Sequence, residues 1–548
     1  MALLTLVLGS LILSLVYLAV RQVLHPVGPR ATNFPPGPPT IPFLGNLHQI
    51  PLTKPFLQYL LAEWSRTHGA HGLVGLRLGP SSSAVVVNSW KAARDLLDRR
   101  GAVYSSRPYV PIVEYVVPPP GDIHLVFMPY GPKWRKARKT VTDFLRDDEV
   151  DGLLPLQDAE SSQMMHELLS APGRYHDHIL RYSGAVVMTS VFGTRGRDFG
   201  DEGRIKQFFA CQAEWAGMLD RGAVPPFDVF PFLRHVPDVL TPWRGWRRRA
   251  AALKSRQNGL YHDLFEEARA RVERGEAGDS FVASLLRNNA RDGYGEVELE
   301  YITGFLMEGG SDTTAGAFET FVLAMAAYPE AQKRAQAEVD SAFGREGVRS
   351  EKAGADALPY LKACFLEEKT LRWRPGFPLA IPHATTQDDV YRGYHIPANT
   401  TILMNIWAIS HDPDEYEDPD SFRPERFLDG TFGTTSSSRE ESRGTAGEGL
   451  GDQSRRPTYG FGAGRRVCAG QRMAENSMLT TMSKLLWYFD VVPGDRVAPD
   501  TGVRTAFKDA ILTGPKPFDV SFEVRGEQRR GVLVDEWAKA DAWLRQFE

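Results

Sequence analysis

Residues 461–470 carry the most information about the fold and chemistry of this chain. They read Phe461-Gly462-Ala463-Gly464-Arg465-Arg466-Val467-Cys468-Ala469-Gly470. This glycine-rich, basic loop delivers one cysteine to a helical segment that begins near Gln471, and both features favour a deprotonated sulfur. The glycines fit a backbone that lies close against a large flat ligand. A lone thiolate of this kind is one way in which proteins hold haem iron, whereas an isolated cysteine is otherwise usually a buried packing residue.

The spacing within this loop is more specific than its composition. Phe461, Gly464, Arg466, Cys468 and Gly470 fill every fixed position of the pattern Phe-x-x-Gly-x-Arg-x-Cys-x-Gly. By this match the chain resembles the cytochrome P450 family of haem-thiolate monooxygenases. The resemblance implies haem (heme b) with Cys468 as the axial ligand of the iron, held in a mainly α-helical fold with small β-sheets.

Composition sets broad limits on the class of protein. The 548 residues are 42% hydrophobic and 11% aromatic, which is enough for a large core. The net charge of −4 is close to balance, so nothing indicates nucleic-acid binding. The three cysteines, Cys211, Cys364 and Cys468, fit a reducing compartment without a disulfide framework. We predict that Cys211 and Cys364 are packing residues.

The N-terminus predicts a membrane anchor. Residues 2–20 contain no charged side chain and just reach the length of about 20 apolar residues that a transmembrane helix needs. A cleaved signal peptide is the alternative, weakened by the lack of a basic start and of a small-residue cleavage site. Arg21 and Arg30 follow the span, and positive flanks tend to stay cytoplasmic. We expect a single-pass anchor at residues 1–21 in the endoplasmic reticulum membrane, in contact with membrane lipid, with the catalytic domain in the cytosol.

Two further segments divide the chain. Residues 22–40 include the run Phe34-Pro35-Pro36-Gly37-Pro38-Pro39, which is stiff and cannot join a helix. It resembles the proline hinge of membrane-bound members of the family, so we expect a catalytic domain over residues 41–548. Within that domain, residues 429–456 contain 15 Gly, Ser or Thr in 28 positions and predict a flexible surface insertion.

Periodicity gives a coarse secondary structure. Residues 299–328, 361–373 and 471–489 have the length and apolar spacing of helices. Residues 75–88 predict two strands around a Gly-Pro-Ser turn, and residues 396–406 predict another strand.

A second motif lies inside the first of these helices and reads Gly309-Gly310-Ser311-Asp312-Thr313-Thr314. Its residues are poor helix formers, so we expect a local opening of the helix with Thr313 bonding back to a carbonyl; a simple kink is the alternative. The run matches the oxygen-binding groove of the family. The resemblance implies that Asp312 shuttles protons through water and that Thr313 holds this water with its hydroxyl.

A basic helical segment carries Trp134 and Arg138, which are four residues apart and therefore share a face. An exposed basic helix is the alternative interpretation. The family pattern Trp-x-x-x-Arg implies that both side chains contact a haem propionate, a role that suits arginine. The resemblance also places His383 on the other propionate, with a neutral packed histidine as the alternative.

The chain departs from the family in a buried ion network. The family signature Pro-Glu-Arg-Phe is present as Pro424-Glu425-Arg426-Phe427. In the family this arginine pairs with a Glu and an Arg of the helix predicted over residues 361–373. On that helix the family has the pattern Glu-x-x-Arg. Arg372 fits the arginine of this pattern, but the residue three positions before it is Lys369 instead of a glutamate. Helical geometry favours Glu368, four before Arg372, over Glu367, which is turned by roughly 140°. We therefore predict a network of Glu368, Arg372 and Arg426; a bulged helix, a misread exon boundary and loss of the network are the alternatives.

The resemblance implies insertion of one atom of O₂ into a C–H or double bond of a largely apolar small molecule. Electrons would come through NADPH-cytochrome P450 reductase, since no flavin or nicotinamide motif is present. The segments implied to face the haem are apolar and aromatic (residues 109–127, 208–227, 376–381 and 510–513). Residues 474–476 look most like fungal members that tailor secondary metabolites. A P450-fold isomerase or dehydratase, and a non-catalytic haem-binding protein, are the alternatives; Asp312 and Thr313 argue against the first.

Overall fold

The computed structural model describes residues 9–11, 13–14, 17, 33–51, 56–80, 82–119, 121–200, 203–276, 278–348, 357–369, 372–428 and 458–548, with the side chains of 368 and 369 excepted. The insertion predicted at 429–456 and most of the anchor predicted at 1–21 lie outside these residues. Within the described ranges, no helix is both long enough and apolar enough to cross a membrane.

Helices dominate the described chain, as the sequence predicts. In chain order they are α1 (Leu57–His68), α2 (Trp90–Ala93), α3 (Gly101–Tyr104), α4 (Val113–Val116), α5 (Pro132–Phe144), α6 (Asp147–Asp151), α7 (Leu154–Ser170), α8 (Tyr175–Phe192), α9 (Arg204–Leu219), α10 (Trp246–Glu273), α11 (Phe281–Asp292), α12 (Glu296–Ala327), α13 (Pro329–Phe343), α14 (Pro359–Lys369), α15 (Ile406–Ser410), α16 (Gln471–Tyr488), α17 (Val503–Ala506) and α18 (Glu527–Leu544).

The β structure is small and lies in three sheets. The strands are β1 (Leu73–Leu78), β2 (Ser82–Val87), β3 (His383–Ala384), β4 (Asp389–Tyr391), β5 (Tyr394–Ile396), β6 (Thr401–Met404), β7 (Phe489–Pro493) and β8 (Val520–Val524). The largest sheet has the order β1-β2-β6-β3, in which β2 and β6 are parallel and the other pairs antiparallel. The two strands predicted over residues 75–88 are confirmed, whereas the strand predicted at 396–406 is limited to β6.

Helix α12 runs through the centre of the fold. The Glu298 carboxylate accepts a hydrogen bond from the Gly295 backbone N–H at 3.1 Å, which stabilises its first turn. The predicted opening at residues 309–314 is wrong, because α12 is continuous through them. Packing explains the difference: a Cβ on Gly310 would lie 2.7 Å from Val187 Cγ2, so the glycine allows α8 to approach closely. Tertiary contact here outweighs the low helix propensity of glycine.

Helix α14 ends earlier than the sequence predicts. Its last residue is Lys369, not a residue near 373, and Arg372 and Trp373 follow in an irregular segment. The backbone N–H of Trp373 donates to the carbonyl of Glu367 at 3.1 Å. The chain therefore folds back over the last turn of α14, and helical spacing does not apply across this boundary.

Candidate active site

A cavity lies between α12 and the loop at residues 461–470. Gly309, Asp312 and Thr313 line it from α12, and Cys468 lines it from the loop. Cys468 is exposed to this space, whereas Cys211 and Cys364 are buried, as predicted for packing residues. The fold thus brings Asp312 and Cys468, which are 156 residues apart in the sequence, to the lining of one cavity.

The loop that carries Cys468 depends on its glycines and on one backbone bond. The Cys468 N–H donates to the Phe461 carbonyl at 2.8 Å. Gly464 has a left-handed φ of +60°, and a Cβ there would lie 2.0 Å from the Leu97 carbonyl oxygen. Its N–H donates to the Asp98 carboxylate at 2.7 Å. A side chain at position 464 is therefore excluded both by conformation and by space.

Three guanidinium groups line the same cavity: Arg107, Arg138 and Arg466. Arg138 Nη2 donates to the Val467 carbonyl at 2.5 Å, which ties α5 to the cysteine loop. Arg466 donates to the carbonyls of Ser105 and Met128. Among the described residues, no carboxylate forms an ion pair with any of the three guanidiniums.

This cluster of positive charge fits an anionic group in the cavity. Burial lowers the pKa of Arg107 to about 9. Burial, with repulsion from Arg107 and Arg138, lowers the pKa of Arg466 to about 8. Like charges withdrawn from water without a partner are unfavourable unless a ligand supplies the opposite charge. Haem carries two propionate carboxylates, so the donor set present here fits the cofactor inferred from Cys468.

The two residues of the Trp-x-x-x-Arg pattern, Trp134 and Arg138, both line the cavity. The Trp134 ring is buried, and the Arg466 guanidinium lies over it, 4.1 Å from the ring centroid. The indole N–H of Trp134 has no hydrogen-bond partner within the described part of the chain, so it is free to donate to a carboxylate. Arg138 faces the cavity on the same side of α5.

His383 lies on β3 at the wall of the cavity. Its Nδ1 donates to the Tyr104 carbonyl at 2.8 Å. Burial, together with Arg107 and Arg466, holds its pKa well below the usual value, so the ring is neutral and Nε2 is an acceptor. A neutral ring of this tautomer has no hydrogen to donate to a propionate. Contact between His383 and a propionate therefore stays a prediction, which requires protonation of the ring.

The groove on α12 contains the predicted hydroxyl and carboxylate. Thr313 Oγ1 donates to the Gly309 carbonyl at 2.9 Å, which confirms the expected bond back to the helix. Asp312 has no hydrogen-bond partner among the described residues. Burial raises its pKa to about 6, and Glu319 adds to this effect, while Lys508 and His176 oppose it. Asp312 is therefore poised to exchange a proton near neutral pH.

The buried ion network exists, but its acid is Glu367. The Glu367 carboxylate is fully buried and accepts from Arg372 Nε and Nη2, each at 2.6 Å. Arg426 Nε lies 3.4 Å from the same carboxylate. The prediction of Glu368 rested on helical spacing, which is wrong here because α14 ends before Arg372. The side chain of Glu368 lies outside the described residues.

Apolar side chains close the rest of the cavity. They come from the segments that the sequence implies, and include Phe127, Trp215, Phe377, Ile381 and Leu512. Tyr109, at the start of the first segment, does not line the cavity.

Arg107 lines the cavity but is not predicted from the sequence, because it is a lone arginine outside any motif. Its hydrogen bonds to the carbonyls of Ile381 and Pro382 join residues far apart in the chain.

Comparison with known proteins identifies the family to which the chain belongs. A family model described as Cytochrome P450 matches residues 35–522. The chain is 32% identical to a cytochrome P450 monooxygenase of Aspergillus terreus over 98% of this chain and 96% of that protein. It is 33% identical to one of Aspergillus ruber, over 97% of this chain and 94% of that protein. It is also 33% identical to one of Armillaria gallica, over 98% of each. The chain therefore belongs to the cytochrome P450 family, which binds haem through a cysteine thiolate on the iron.

Proposed function

We propose that this chain is a haem-dependent monooxygenase that inserts one oxygen atom of O₂ into a largely apolar small molecule, by hydroxylation or epoxidation. The observation that carries the proposal is the placement of Cys468 and of the Asp312–Thr313 pair on the lining of one cavity. Bound haem supplies the oxygen-activating chemistry. The apolar walls exclude bulk water and hold the substrate.

Asp312 and Thr313 deliver protons in this proposal. The Thr313 hydroxyl hydrogen is engaged by the Gly309 carbonyl, so the hydroxyl oxygen offers its lone pairs to a water molecule. The Asp312 carboxyl, with its pKa raised to about 6, takes up and releases protons near neutral pH. Trp134, Arg138, Arg107 and Arg466 line the cavity and would hold the propionates of bound haem.

The proposal includes a membrane-bound setting for the chain: anchor 1–21, hinge 22–40 and a cytosolic catalytic domain on the endoplasmic reticulum. An apolar surface between α9 and α10 supports it, because Phe232, Val239 and Leu240 are exposed by 59%, 66% and 74%. In the same loop, Phe230 stacks on Phe43 with ring centroids 5.5 Å apart. Because Phe43 follows the predicted hinge, this contact supports the proposal that the apolar surface faces membrane lipid. NADPH-cytochrome P450 reductase is the proposed electron donor, and fungal secondary metabolism, supported by the fungal relatives, is the proposed setting.

Substrate-dependent NADPH consumption, measured with haem-loaded protein and reductase, tests the proposal. A monooxygenase consumes NADPH and O₂ when a substrate is present and incorporates labelled oxygen from ¹⁸O₂ into the product. An isomerase or dehydratase converts its substrate without NADPH. A non-catalytic haem-binding protein does neither. Conversion that needs no reductase and incorporates no label would contradict the proposal.

A further inference from the structure

A buried polar cluster borders the cavity one residue before the glycines of the groove. Its centre is Glu308, on α12, which is 7% exposed and lines the cavity. The Glu308 carboxylate accepts hydrogen bonds from three side chains. Tyr261 O–H donates at 2.5 Å, His124 Nε2 at 3.0 Å and Gln257 Nε2 at 3.3 Å. A carboxylate withdrawn from solvent is normally held in this way when it serves a structural or binding purpose.

The fold makes room for this cluster. Gly304 lies one turn before Glu308 on α12, and a Cβ there would lie 2.4 Å from the Tyr261 ring. The glycine therefore allows the ring of Tyr261, on α10, to cross the helix and reach Glu308. Burial and the Glu308 charge raise the pKa of Tyr261 well above its usual value, so its hydroxyl remains a donor.

The Glu308 carboxylate can accept a further hydrogen bond. Its Oε1 accepts from Tyr261 and Gln257, and its Oε2 accepts from His124, so Oε2 keeps a lone pair. Among the residues of the cluster, Glu308 and His124 line the cavity. Because an ionised carboxylate only accepts hydrogen bonds, the group that Glu308 can bind in the cavity is a hydrogen-bond donor.

The surroundings of His124 are aromatic. Its ring centroid lies 4.9 Å from that of Phe127, 5.8 Å from Phe305 and 6.0 Å from Trp215. All three aromatic side chains also line the cavity. A molecule that fills this end of the cavity meets mostly apolar side chains, and a hydrogen-bond donor on it can pair with the Glu308 carboxylate.

We propose that Glu308, positioned by His124, Tyr261 and Gln257, binds a hydroxyl group of an otherwise apolar substrate. The proposal rests on the proposed function, because it names the class of substrate that the monooxygenase takes. A hydroxyl suits the site better than an ammonium. The carboxylate charge is already compensated by three donors, and an ammonium would turn its other N–H groups towards apolar walls.

The test is the binding of matched probes to the haem-loaded protein without reductase or NADPH. The probes are 4-ethylphenol, 4-ethylanisole, ethylbenzene and (4-ethylphenyl)trimethylammonium, with dissociation constants from equilibrium dialysis. We expect 4-ethylphenol to bind about tenfold or more tightly than 4-ethylanisole, which keeps the oxygen but loses the donor. Ethylbenzene should bind like the ether. Because no turnover is involved, failure of this test is distinct from failure of the monooxygenase proposal.

Variants locate the effect in the cluster. Glu308→Gln and His124→Phe should each reduce the preference for the phenol to within about threefold of the ether. Tyr301→Phe is the matched control, because the Tyr301 ring packs against Tyr261 but its hydroxyl donates to Asn258 instead. That control should keep the wild-type preference. The proposal is overturned if wild type does not distinguish phenol from ether, if both cluster variants keep the preference, or if the trimethylammonium probe binds most tightly.

Discussion

Glu367 and Arg372 form a two-point ion pair across the end of α14, with the Arg372 Nε and Nη2 atoms each 2.6 Å from a different carboxylate oxygen of Glu367. Neither residue is accessible to bulk solvent. Arg372 also donates to the carbonyls of Pro419 and Ser421, and the Arg423 backbone N–H donates to Glu367 at 2.8 Å. The pair therefore fastens α14 to the irregular segment that precedes the cysteine loop.

Glu367→Ala should lower the stability of the protein sharply. It leaves Arg372 and Arg426 buried without their carboxylate, and loss of one partner of a buried pair costs about 3–5 kcal/mol. The expected result is a large fall in the melting temperature together with loss of bound haem, measured by thermal unfolding and by haem content per protein.

Glu368→Ala is the control for this prediction. Since Glu367 supplies the carboxylate, the variant at 368 should retain haem and should lower the free energy of unfolding much less than Glu367→Ala does. Loss of haem from the Glu368 variant alone would contradict the assignment of the network to Glu367.

Arg138→Met should weaken haem retention. The variant removes the charged group proposed to contact a propionate, while methionine still fills the space of the aliphatic part of arginine. The rate of haem dissociation should therefore rise about tenfold or more. Arg135→Met is the matched control, because Arg135 is on the same helix but exposed to solvent. Transfer of haem to an acceptor apoprotein measures both variants. Equal rates for the two would refute the role of Arg138.

Asp312→Asn should change how stability depends on pH. The pKa of Asp312 is raised to about 6 in the folded protein, so its favourable contribution is complete below about pH 4 and is lost as pH rises through 6. The stability of the Asn variant relative to wild type should therefore rise between pH 4 and 7, by up to about 3 kcal/mol. Denaturant unfolding at several pH values measures this difference. A difference that does not vary with pH would contradict the raised pKa.

Gly310→Ala should destabilise the fold although alanine is the better helix former. Its Cβ would lie 2.7 Å from Val187 Cγ2, and overpacking of this kind costs about 1–3 kcal/mol. Gly259→Ala is the contrast, since nothing lies within 4 Å of a Cβ at that exposed position of α10. It should stabilise the protein by about 0.5–1 kcal/mol. Melting temperatures that move in the same direction would refute the packing explanation.

Local spacing was enough to predict several parts of the site. The cysteine loop, the face shared by Trp134 and Arg138, and the bond from Thr313 to Gly309 each depend on residues within ten positions of one another. The helical class and the strands at residues 75–88 also follow from short-range periodicity.

The features that escaped prediction depend on contacts between distant residues or on the end of a helix. The Arg107 side chain is held by hydrogen bonds to carbonyls more than 270 residues away in the sequence, and the hydrogen-bonded residues His124 and Glu308 are 184 residues apart. Helical spacing favours Glu368 over Glu367 only if the helix continues to Arg372, and periodicity does not mark where α14 ends. The opening predicted in α12 does not occur because α8 packs on Gly310, a contact that no local pattern reveals.

The absorption spectrum of the reduced protein with carbon monoxide tests the central claim most directly, namely that Cys468 holds the haem iron as a thiolate. We expect a Soret band that is strongly shifted to the red in the wild-type protein and that loses this shift in Cys468→His, while Cys211→Ala and Cys364→Ala keep it. An unshifted band in haem-loaded wild-type protein, or a shifted band that survives in Cys468→His, would contradict it.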